Sequence, residues 1–278
     1  MHMKNLPTFS TQIYERHSQD MIKEETKFVD SYVFEGMTSI RAILKGIDTG
    51  TSDRTIKKVI FDQEKLKKIA KEIGYLKAVS KKYGFEIEGS DSATIDSYTL
   101  GTSHGGIIAL CSERTIPPLS SLPNETEKNG FFVMIQGIED PYNFGYSLRS
   151  LYACGCTGII LPKRNWMSAA GVVARSSAGA SELFPMYSAE AIDAAHFFKD
   201  RGYTVVCADE NTENVLGKCT LKLPLLLIVG GEKRGISSAL MQLADTIVKI
   251  PYARHFPASL SAASATTILA YEIARQNF

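Results

Sequence analysis

The stretch from Phe131 to Gly155, FFVMIQGIEDPYNFGYSLRSLYACG, decides the fold of this chain. Its first part, Phe131 to Ile138, is mainly apolar, which is typical of a strand covered on both faces in a parallel sheet. Polar residues and Pro141 then end the strand in a turn. Beyond Gly145 the apolar residues recur at helical spacing, and Gly155 closes the helix. The stretch therefore predicts a buried strand, a loop and a helix, in that order.

Two polar residues of this stretch are candidate functional residues. Asn143 is predicted at the mouth of the turn and Arg149 one to two turns into the helix, so both are expected to face the crevice at the carboxyl end of the strand. Taken alone, the two have an ordinary alternative, which is a turn asparagine and a solvated helix arginine. Two later stretches favour the functional interpretation.

The first later stretch is Leu225 to Ser237, LLLIVGGEKRGIS, a buried strand that runs into a glycine-rich turn with one carboxylate, Glu232. Glycines in such a turn let a ligand approach main-chain N–H groups closely. The second is Ile247 to Asn277, IVKIPYARHFPASLSAASATTILAYEIARQN. It predicts a short strand, a loop around Pro257 and a long helix of small residues.

In order and spacing, the three stretches resemble the three motifs of the SpoU/TrmH family of RNA ribose 2′-O-methyltransferases, in the SPOUT superfamily. The resemblance covers the chain from about Phe131 to the end. It places Asn143 and Arg149 at the first-motif asparagine and the catalytic arginine. The other matched positions are Gly230, Glu232, Ile250, Ser259 and Leu260. One departure is Ser261, where the family usually has asparagine, and the loop before it is slightly longer than usual.

The resemblance implies S-adenosylmethionine as the methyl donor, bent and held by main-chain groups of two loops, Gly230–Gly231 and Ile250 to Leu260. It also implies that Arg149 contacts an RNA phosphate and helps to activate the 2′-hydroxyl. An arginine of ordinary pKa is a poor base, so the proton leaves through the phosphate, water or a strongly perturbed arginine, and these remain alternatives. The GxGxxG pattern is absent, which disfavours a dinucleotide or Rossmann methyltransferase site.

The remaining motif residues have roles implied by the same resemblance. Asn143 would orient Arg149 or the ribose, and Glu232 would fix its loop or a positive partner. Ser259 either forms a hydrogen bond at the reacting centre or caps the final helix. Ser261 is expected to keep a weaker version of the contact that the family asparagine makes.

The composition sets limits on the class of protein. With 278 residues and 44% hydrophobic residues, the chain is long enough for two domains with cores. A formal net charge of +1 means that an RNA-binding surface has to be a local patch. Five cysteines, an odd number without CxxC spacing, argue against a disulfide framework or a zinc site. No metal site, signal peptide or membrane span is predicted, so the expected location is the cytoplasm.

The N-terminal part, residues 1–125 with a linker from about residue 115, resembles the small L30e-like RNA-binding domain found before the catalytic domain in many family members. A helix from Thr38 or Ser39 to Gly46 and an amphipathic helix over Gln63 to Tyr83 are predicted, with strands at Ile56–Phe61 and Phe85–Ile87. Lysines are frequent between Lys57 and Lys82. They are predicted to form either a solvated helix face or a phosphate-binding patch. His104 is expected to be structural.

The C-terminal part, residues 126–278, alternates strand and helix, which predicts an α/β fold with a mostly parallel sheet covered by helices on both faces. The predicted strands are Phe131–Gln136, Gly158–Leu161, Leu183–Met186, Thr204–Ala208, Leu225–Val229 and Thr246–Ile250. The trefoil knot of the SPOUT superfamily is implied only by the resemblance, because the general rules of chain topology make knots very improbable. Arg175 is either an RNA or cofactor-loop contact or an exposed helix arginine.

The leading hypothesis is an S-adenosylmethionine-dependent RNA 2′-O-methyltransferase that acts on ribosomal RNA as a homodimer. Ala262, Ala263 and Ala265 allow close packing. In the family this packing serves the knot and the dimer, and the alternative is that these residues only pack in the core. A rival hypothesis, motivated by Ser261, is a non-catalytic RNA-binding dimer with the same fold. Another nucleotide-binding α/β enzyme is a third alternative, which the motif order disfavours.

Overall fold

The computed structural model describes residues 33–99, 104–123, 129–162, 169–231 and 235–278. Over these ranges the chain forms a four-stranded sheet followed by a six-stranded sheet. No helix in these ranges is both long and apolar enough to cross a membrane.

The N-terminal sheet is mixed and has helices on both faces. Its strands are β1 Val33–Glu35, β2 Ile56–Asp62, β3 Glu86–Ser90 and β4 Ile107–Cys111, and its helices are α1 Gly36–Thr49, α2 Leu66–Tyr83 and α3 Ser92–Tyr98. The strand order is β1-β4-β2-β3, with β4 antiparallel to both neighbours. Helices α1 and α2 share the apolar core on one face. On the other face, Ile95 of α3 packs with Ile60 and Ile108.

Helix α1 differs from its prediction at both ends. It begins at Gly36, before the predicted cap at Thr38 or Ser39, and continues past Gly46 to Thr49. A Cβ at Gly46 would lie 2.5 Å from the carbonyl oxygen of Glu182, so this glycine allows a close approach of two segments and does not end the helix. Such a contact between distant parts of the chain leaves no local signal in the sequence.

The C-terminal sheet is parallel throughout and confirms the predicted fold class. Its strands are β5 Phe131–Ile135, β6 Gly158–Leu161, β7 Met186–Ser188, β8 Thr204–Ala208, β9 Leu225–Val229 and β10 Thr246–Val248, in the order β10-β8-β9-β5-β6-β7. Strand β5 lies inside the sheet, paired with β9 from Phe131↔Leu225 to Ile135↔Val229. Phe131 and Val133 belong to one core and Phe132 to the other, which explains the unbroken apolar run.

Helices cover both faces of this sheet. They are α4 Pro141–Ala153, α5 Ala170–Ser176, α6 Ala180–Leu183, α7 Ala191–Lys199, α8 Ser238–Leu243 and α9 Ala262–Asn277. The predicted strand Leu183–Met186 was wrong, because Leu183 ends α6 and the strand begins only at Met186. A short apolar run does not distinguish a helix end from a strand start.

Helix α4 begins earlier than the apolar spacing predicts. Asp140 caps it by accepting a hydrogen bond from the N–H of Tyr142 at 2.9 Å, and Pro141 occupies the first turn. Proline is favoured there because the first N–H groups of a helix have no partner within the helix. Asn143 consequently lies in the first turn of the helix and not at the mouth of the preceding turn.

The two sheets are joined by a buried polar interface that the sequence does not predict. Arg54 Nε donates to Glu182 Oε2 at 3.1 Å, and both side chains are almost fully buried. Arg114 donates to the carbonyl oxygens of Ser181 and Phe184. The guanidinium groups thereby bind backbone and carboxylate oxygens of the C-terminal part.

Part of the predicted linker packs against the C-terminal sheet. Leu119 and Leu122 are buried in one of its two cores. Pro118 forms an isolated bridge with Ser188 of β7. The expected boundary near residue 125 falls at residues outside the described ranges, so the division into domains stays a prediction.

Candidate active site

A large cleft opens at the carboxyl ends of the parallel strands β10, β8 and β9, the place where ligands bind in open α/β sheets. Its volume is about 1010 Å³. The lining residues are 208–210, 229–231, 235, 248–252, 259–262 and 265. The cleft thus joins the glycine-rich turn after β9 to the long loop before α9.

The four predicted cofactor-binding residues lie together in this cleft. They are Gly230, Gly231, Ile250 and Leu260. Ser259 and Ser261 line it as well. The fold therefore gathers the second and third motifs around one cavity, because β9 and β10 flank β8 and end at the same edge of the sheet.

Gly231 brings the first motif next to the second. A Cβ at this position would lie 2.3 Å from the carbonyl oxygen of Gln136 and 2.4 Å from the carbonyl carbon of Gly137. Real Cβ atoms do not tolerate such distances, so the turn after β9 contacts the loop that leads from β5 into α4 only because residue 231 is glycine. Glu232, the predicted carboxylate of this motif, lies outside the described residues.

The hydroxyl of Ser261 caps helix α9. Its Oγ accepts a hydrogen bond from the N–H of Ser264 at 3.2 Å and donates to Ser264 Oγ at 3.1 Å. Of the two roles considered for Ser259, the helix cap was therefore wrong, and Ser259 is exposed at the cleft. Serine, like the asparagine that is usual in the family, is a good N-cap residue.

Arg149 and Asn143 lie on α4, beside the cleft and not among the residues that line it. Helix α4 packs along α9, with Thr267 Oγ1 donating to Ser150 Oγ at 2.8 Å. Arg149 is exposed, and its guanidinium has no hydrogen-bond or ion-pair partner in the described part of the chain. Asn143 is half-buried, and its carbonyl oxygen accepts a hydrogen bond from Ser147 Oγ at 2.8 Å.

Charged residues that the sequence reasoning missed also line the cleft. Asp209 and Glu210 directly follow β8, and Lys249 follows β10. The N–H of Asp209 donates to the carbonyl oxygen of Val248 at 3.1 Å, and Asp209 Oδ1 accepts from the N–H of Asn211 at 2.8 Å. The sequence does contain a signal for Asp209 and Glu210, because carboxylates directly after a buried parallel strand lie at the ligand-binding edge of the sheet.

Two other predicted residues have structural partners. Arg175 pairs with Glu35 of β1, Nη1 to Oε2 at 2.6 Å, and so connects α5 to the N-terminal sheet. His104 is buried, with Nε2 2.9 Å from Asp96 Oδ1 and with Nδ1 accepting from the N–H of Gly106 at 3.1 Å. The structural role expected for His104 is confirmed.

The lysine-rich region divides into paired and unpaired groups. Lys58 and Lys65 form ion pairs with carboxylates of the N-terminal sheet, and Lys82 forms one with Asp48 of α1. Six exposed lysines have no ion-pair partner among the residues described: Lys57, Lys67, Lys68, Lys71, Lys77 and Lys81. Most of these lie on α2, and whether they form a solvated helix face or a phosphate-binding patch stays a prediction.

Residues 130–271 match the model of the SpoU rRNA Methylase family. The match spans more than half of the chain, and together with the parallel sheet and the cleft it defines the class of protein. The chain belongs to the SpoU rRNA methylase family and is an RNA methyltransferase.

Individual relatives agree with this assignment. The chain is 29% identical over 236 residues to YacO of Bacillus subtilis, named as a TrmH-family tRNA/rRNA methyltransferase, covering 83% of this chain and 92% of YacO. It is 28% identical over 200 residues to the 23S rRNA (guanosine-2′-O-)-methyltransferase RlmB of Shewanella oneidensis, covering 71% and 81% of the two chains. The crystal structure of the SpoU methyltransferase AviRb of Streptomyces viridochromogenes with AdoMet superposes with a TM-score of 0.70 at 23% identity, covering 88% and 89%. At that identity the superposition shows the shared fold.

Proposed function

We propose that this protein transfers a methyl group from S-adenosylmethionine to a ribose 2′-hydroxyl of ribosomal RNA. The observation that carries the proposal is the cleft at the ends of β8, β9 and β10, which contains the predicted cofactor residues. The close contact of Gly231 with Gln136 and Gly137 places the start of α4, the helix of Arg149, beside that cleft. This contact supports a donor site next to the helix that carries the proposed phosphate-binding arginine.

The residues of the cleft fit S-adenosylmethionine. Its volume of about 1010 Å³ is at the upper end for a small-molecule site. Main-chain groups at Gly230, Gly231 and Ile250 would hold the uncharged adenosine part. Asp209 and Glu210 supply negative charge for the cationic groups of the ligand, and Lys249 matches its carboxylate. When bound, the cofactor supplies an activated methyl group.

Arg149 contributes to the reaction as a fixed positive charge. The guanidinium is exposed and has no partner in the described ranges, so it is free to form a two-pronged hydrogen bond with an RNA phosphate. That contact orients the ribose next to the phosphate, which lowers the barrier by positioning the hydroxyl. The proton of the hydroxyl leaves to water or to the phosphate, because a charged guanidinium does not accept it.

The proposal includes the trefoil knot and a homodimer. The family resemblance supports the knot, and contacts of Gln276 and Asn277 with residues 219–223 hold the end of α9 against the segment before β9. Exposed apolar side chains on the adjacent helices α4 and α9 support a second copy as the partner. They are Tyr142, Tyr146, Ile268 and Tyr271. Ala262 and Ala263 are buried within the chain itself and serve its core. Sedimentation analysis of the purified protein tests the dimer.

The cytoplasm is the proposed location, where RNA is available and thiols stay reduced. All five cysteines are free, which fits that environment.

A single experiment tests the proposed reaction. The protein is incubated with labelled S-adenosylmethionine and bulk cellular RNA, and the labelled nucleotide is mapped by nuclease digestion and mass spectrometry. We expect one 2′-O-methylated nucleotide in ribosomal RNA, and much slower formation of that product with Arg149→Ala. Label on a base would overturn the proposed reaction, and label only in transfer RNA would overturn the proposed substrate. RNA binding without transfer would favour the non-catalytic dimer.

A further inference from the structure

The loop that joins β10 to α9 has an unusual surface. In this loop, residues 251–258 and hereafter the aromatic-basic loop, every residue is exposed. Tyr252 is 44% exposed and Phe256 is 56% exposed. Arg254 and His255 lie between them. Large aromatic side chains that remain accessible beside a binding cleft indicate an interaction surface.

The aromatic-basic loop is attached to the cleft and does not project away from it. Tyr252 lines the cleft, and its hydroxyl oxygen accepts a hydrogen bond from the N–H of Leu260 at 3.0 Å. The ring centroids of Tyr252 and Phe256 are 6.4 Å apart. The hydrogen bond therefore holds both ends of the loop together and keeps the two rings next to each other at the mouth of the cleft.

The charged side chains of the aromatic-basic loop indicate which kind of partner it binds. Arg254 and His255 have no hydrogen-bond or ion-pair partner among the described residues. Two aromatic rings with an arginine between them match a nucleotide, because bases stack on aromatic faces and a guanidinium binds phosphate. An apolar protein partner would leave the arginine without a counter-charge.

We infer that the aromatic-basic loop binds an unpaired nucleotide of the RNA substrate, with the base stacked on Phe256 and an adjoining phosphate bound by Arg254. The inference rests on the proposed function, since it is the neighbouring cleft that would hold the methyl donor. It also narrows the substrate class. A base within a continuous helix is already stacked on its neighbours, so the loop selects a single-stranded segment, a bulge or a hairpin loop.

The test measures binding of a short single-stranded RNA that carries 2-aminopurine, and of the blunt duplex of the same sequence. The parent protein is expected to quench the 2-aminopurine fluorescence and to prefer the single strand. Phe256→Ala should weaken that binding by roughly 5- to 100-fold. The matched variant Phe256→Leu keeps an apolar side chain but has no ring, so it should bind as poorly as Phe256→Ala. Arg254→Ala should reduce the salt dependence of binding.

Controls separate this inference from the proposed function. Tyr252→Phe keeps both rings but loses the hydroxyl contact that holds the loop, so it should bind the single strand more tightly than Phe256→Ala and less tightly than the parent. Affinity for S-adenosylmethionine and the melting temperature should be unchanged in Phe256→Ala, because the ring is exposed and does not line the cleft, and only main-chain groups of this stretch are assigned to the cofactor. If Phe256→Ala binds the single strand like the parent, or changes only the sedimentation of the protein, the inference is wrong while methyl transfer by the parent still supports the proposed function. If the parent neither binds S-adenosylmethionine nor transfers methyl groups, the proposed function itself fails.

Discussion

Arg149 is exposed, and its proposed role is to bind a phosphate of the RNA substrate. Its guanidinium has no partner in the described ranges, so removing it should cost little folding stability. Its proposed contact with phosphate is an electrostatic contact at the reacting centre. Contacts of that kind typically lower the barrier by several kcal/mol.

We therefore expect Arg149→Ala to raise the barrier to methyl transfer by about 2–4 kcal/mol, with unchanged affinity for S-adenosylmethionine. Arg149→Lys keeps the charge but loses the two-pronged geometry, so it should fall between the parent and Arg149→Ala. Single-turnover kinetics and calorimetry make the two measurements. Full activity of Arg149→Ala would remove this residue from the mechanism.

Ser261 caps helix α9, so its replacement should change the stability of the protein. Ser261→Ala loses the cap of α9 and should lower the free energy of unfolding by about 1 kcal/mol. Ser261→Asn keeps a cap, so its unfolding free energy should stay within about 0.5 kcal/mol of the parent and its transfer rate should be at least equal. Urea unfolding and initial rates provide the comparison. Equal stability of the Ala and Asn variants would show that the cap contributes nothing.

At the C-terminal end of helix α9, side-chain amides form hydrogen bonds with the backbone of a neighbouring segment. Gln276 Oε1 accepts from the N–H of Leu221 at 2.8 Å, and Asn277 Nδ2 donates to the carbonyl oxygen of Leu221 at 2.8 Å. Glu272 orients this end, since it accepts hydrogen bonds from Arg275 and from Gln276 Nε2. Because the N-terminus of the same helix lines the cleft, its anchoring supports the shape of the site.

The hydrogen bonds from Arg275, and then from Gln276, lower the pKa of Glu272 to about 2. Its ordinary value is about 4.3, so the stability that it contributes is complete above that pH and is lost as the pH falls toward 2. We expect Glu272→Gln to lower the free energy of unfolding by about 1–2 kcal/mol at pH 7, a modest value because the guanidinium of Arg275 is half-exposed. Urea unfolding from pH 7 to pH 2.5 should show this difference shrinking below about pH 4.3. A difference that is constant over this range would exclude the carboxylate as its source.

At the scale of the whole molecule, the position of the N-terminal sheet depends on buried charges. Glu182 accepts from Arg54 Nε at 3.1 Å and from Ser52 Oγ at 3.2 Å. Arg114 is also buried there, and that burial lowers its pKa. Arg54 thus pairs with the buried carboxylate, whereas Arg114 donates to the backbone carbonyl oxygens of Ser181 and Phe184.

Replacing Glu182 by Gln should therefore lower the free energy of unfolding by about 3–5 kcal/mol, because Arg54 is left charged and buried without a counter-charge. The paired variant Arg54→Met with Glu182→Leu removes both charges and should recover much of that loss. Denaturant unfolding of the three proteins tests this expectation. A loss below about 1 kcal/mol for Glu182→Gln would mean that the ion pair does not hold the interface.

The sequence by itself determined those features that depend on neighbouring residues. The unbroken apolar run of β5 predicts a strand buried on both faces, because each face needs apolar side chains. The family resemblance of the motifs singles out Gly230, Ile250 and Leu260, which line one cleft because the carboxyl ends of parallel strands share one edge.

Only the tertiary structure decided those features in which distant segments meet. Gly46 lies inside α1 because the carbonyl group of Glu182 packs against it, and Arg175 pairs with Glu35 of the other sheet. The sequence indicates that Asp209 lies at the ligand-binding edge, but it shares one cleft with Gly230 and Ile250 because β8 lies between β10 and β9, an order that the sequence does not state. Side-chain partners and close backbone contacts are set by packing in three dimensions, whereas propensity and periodicity act only along the chain.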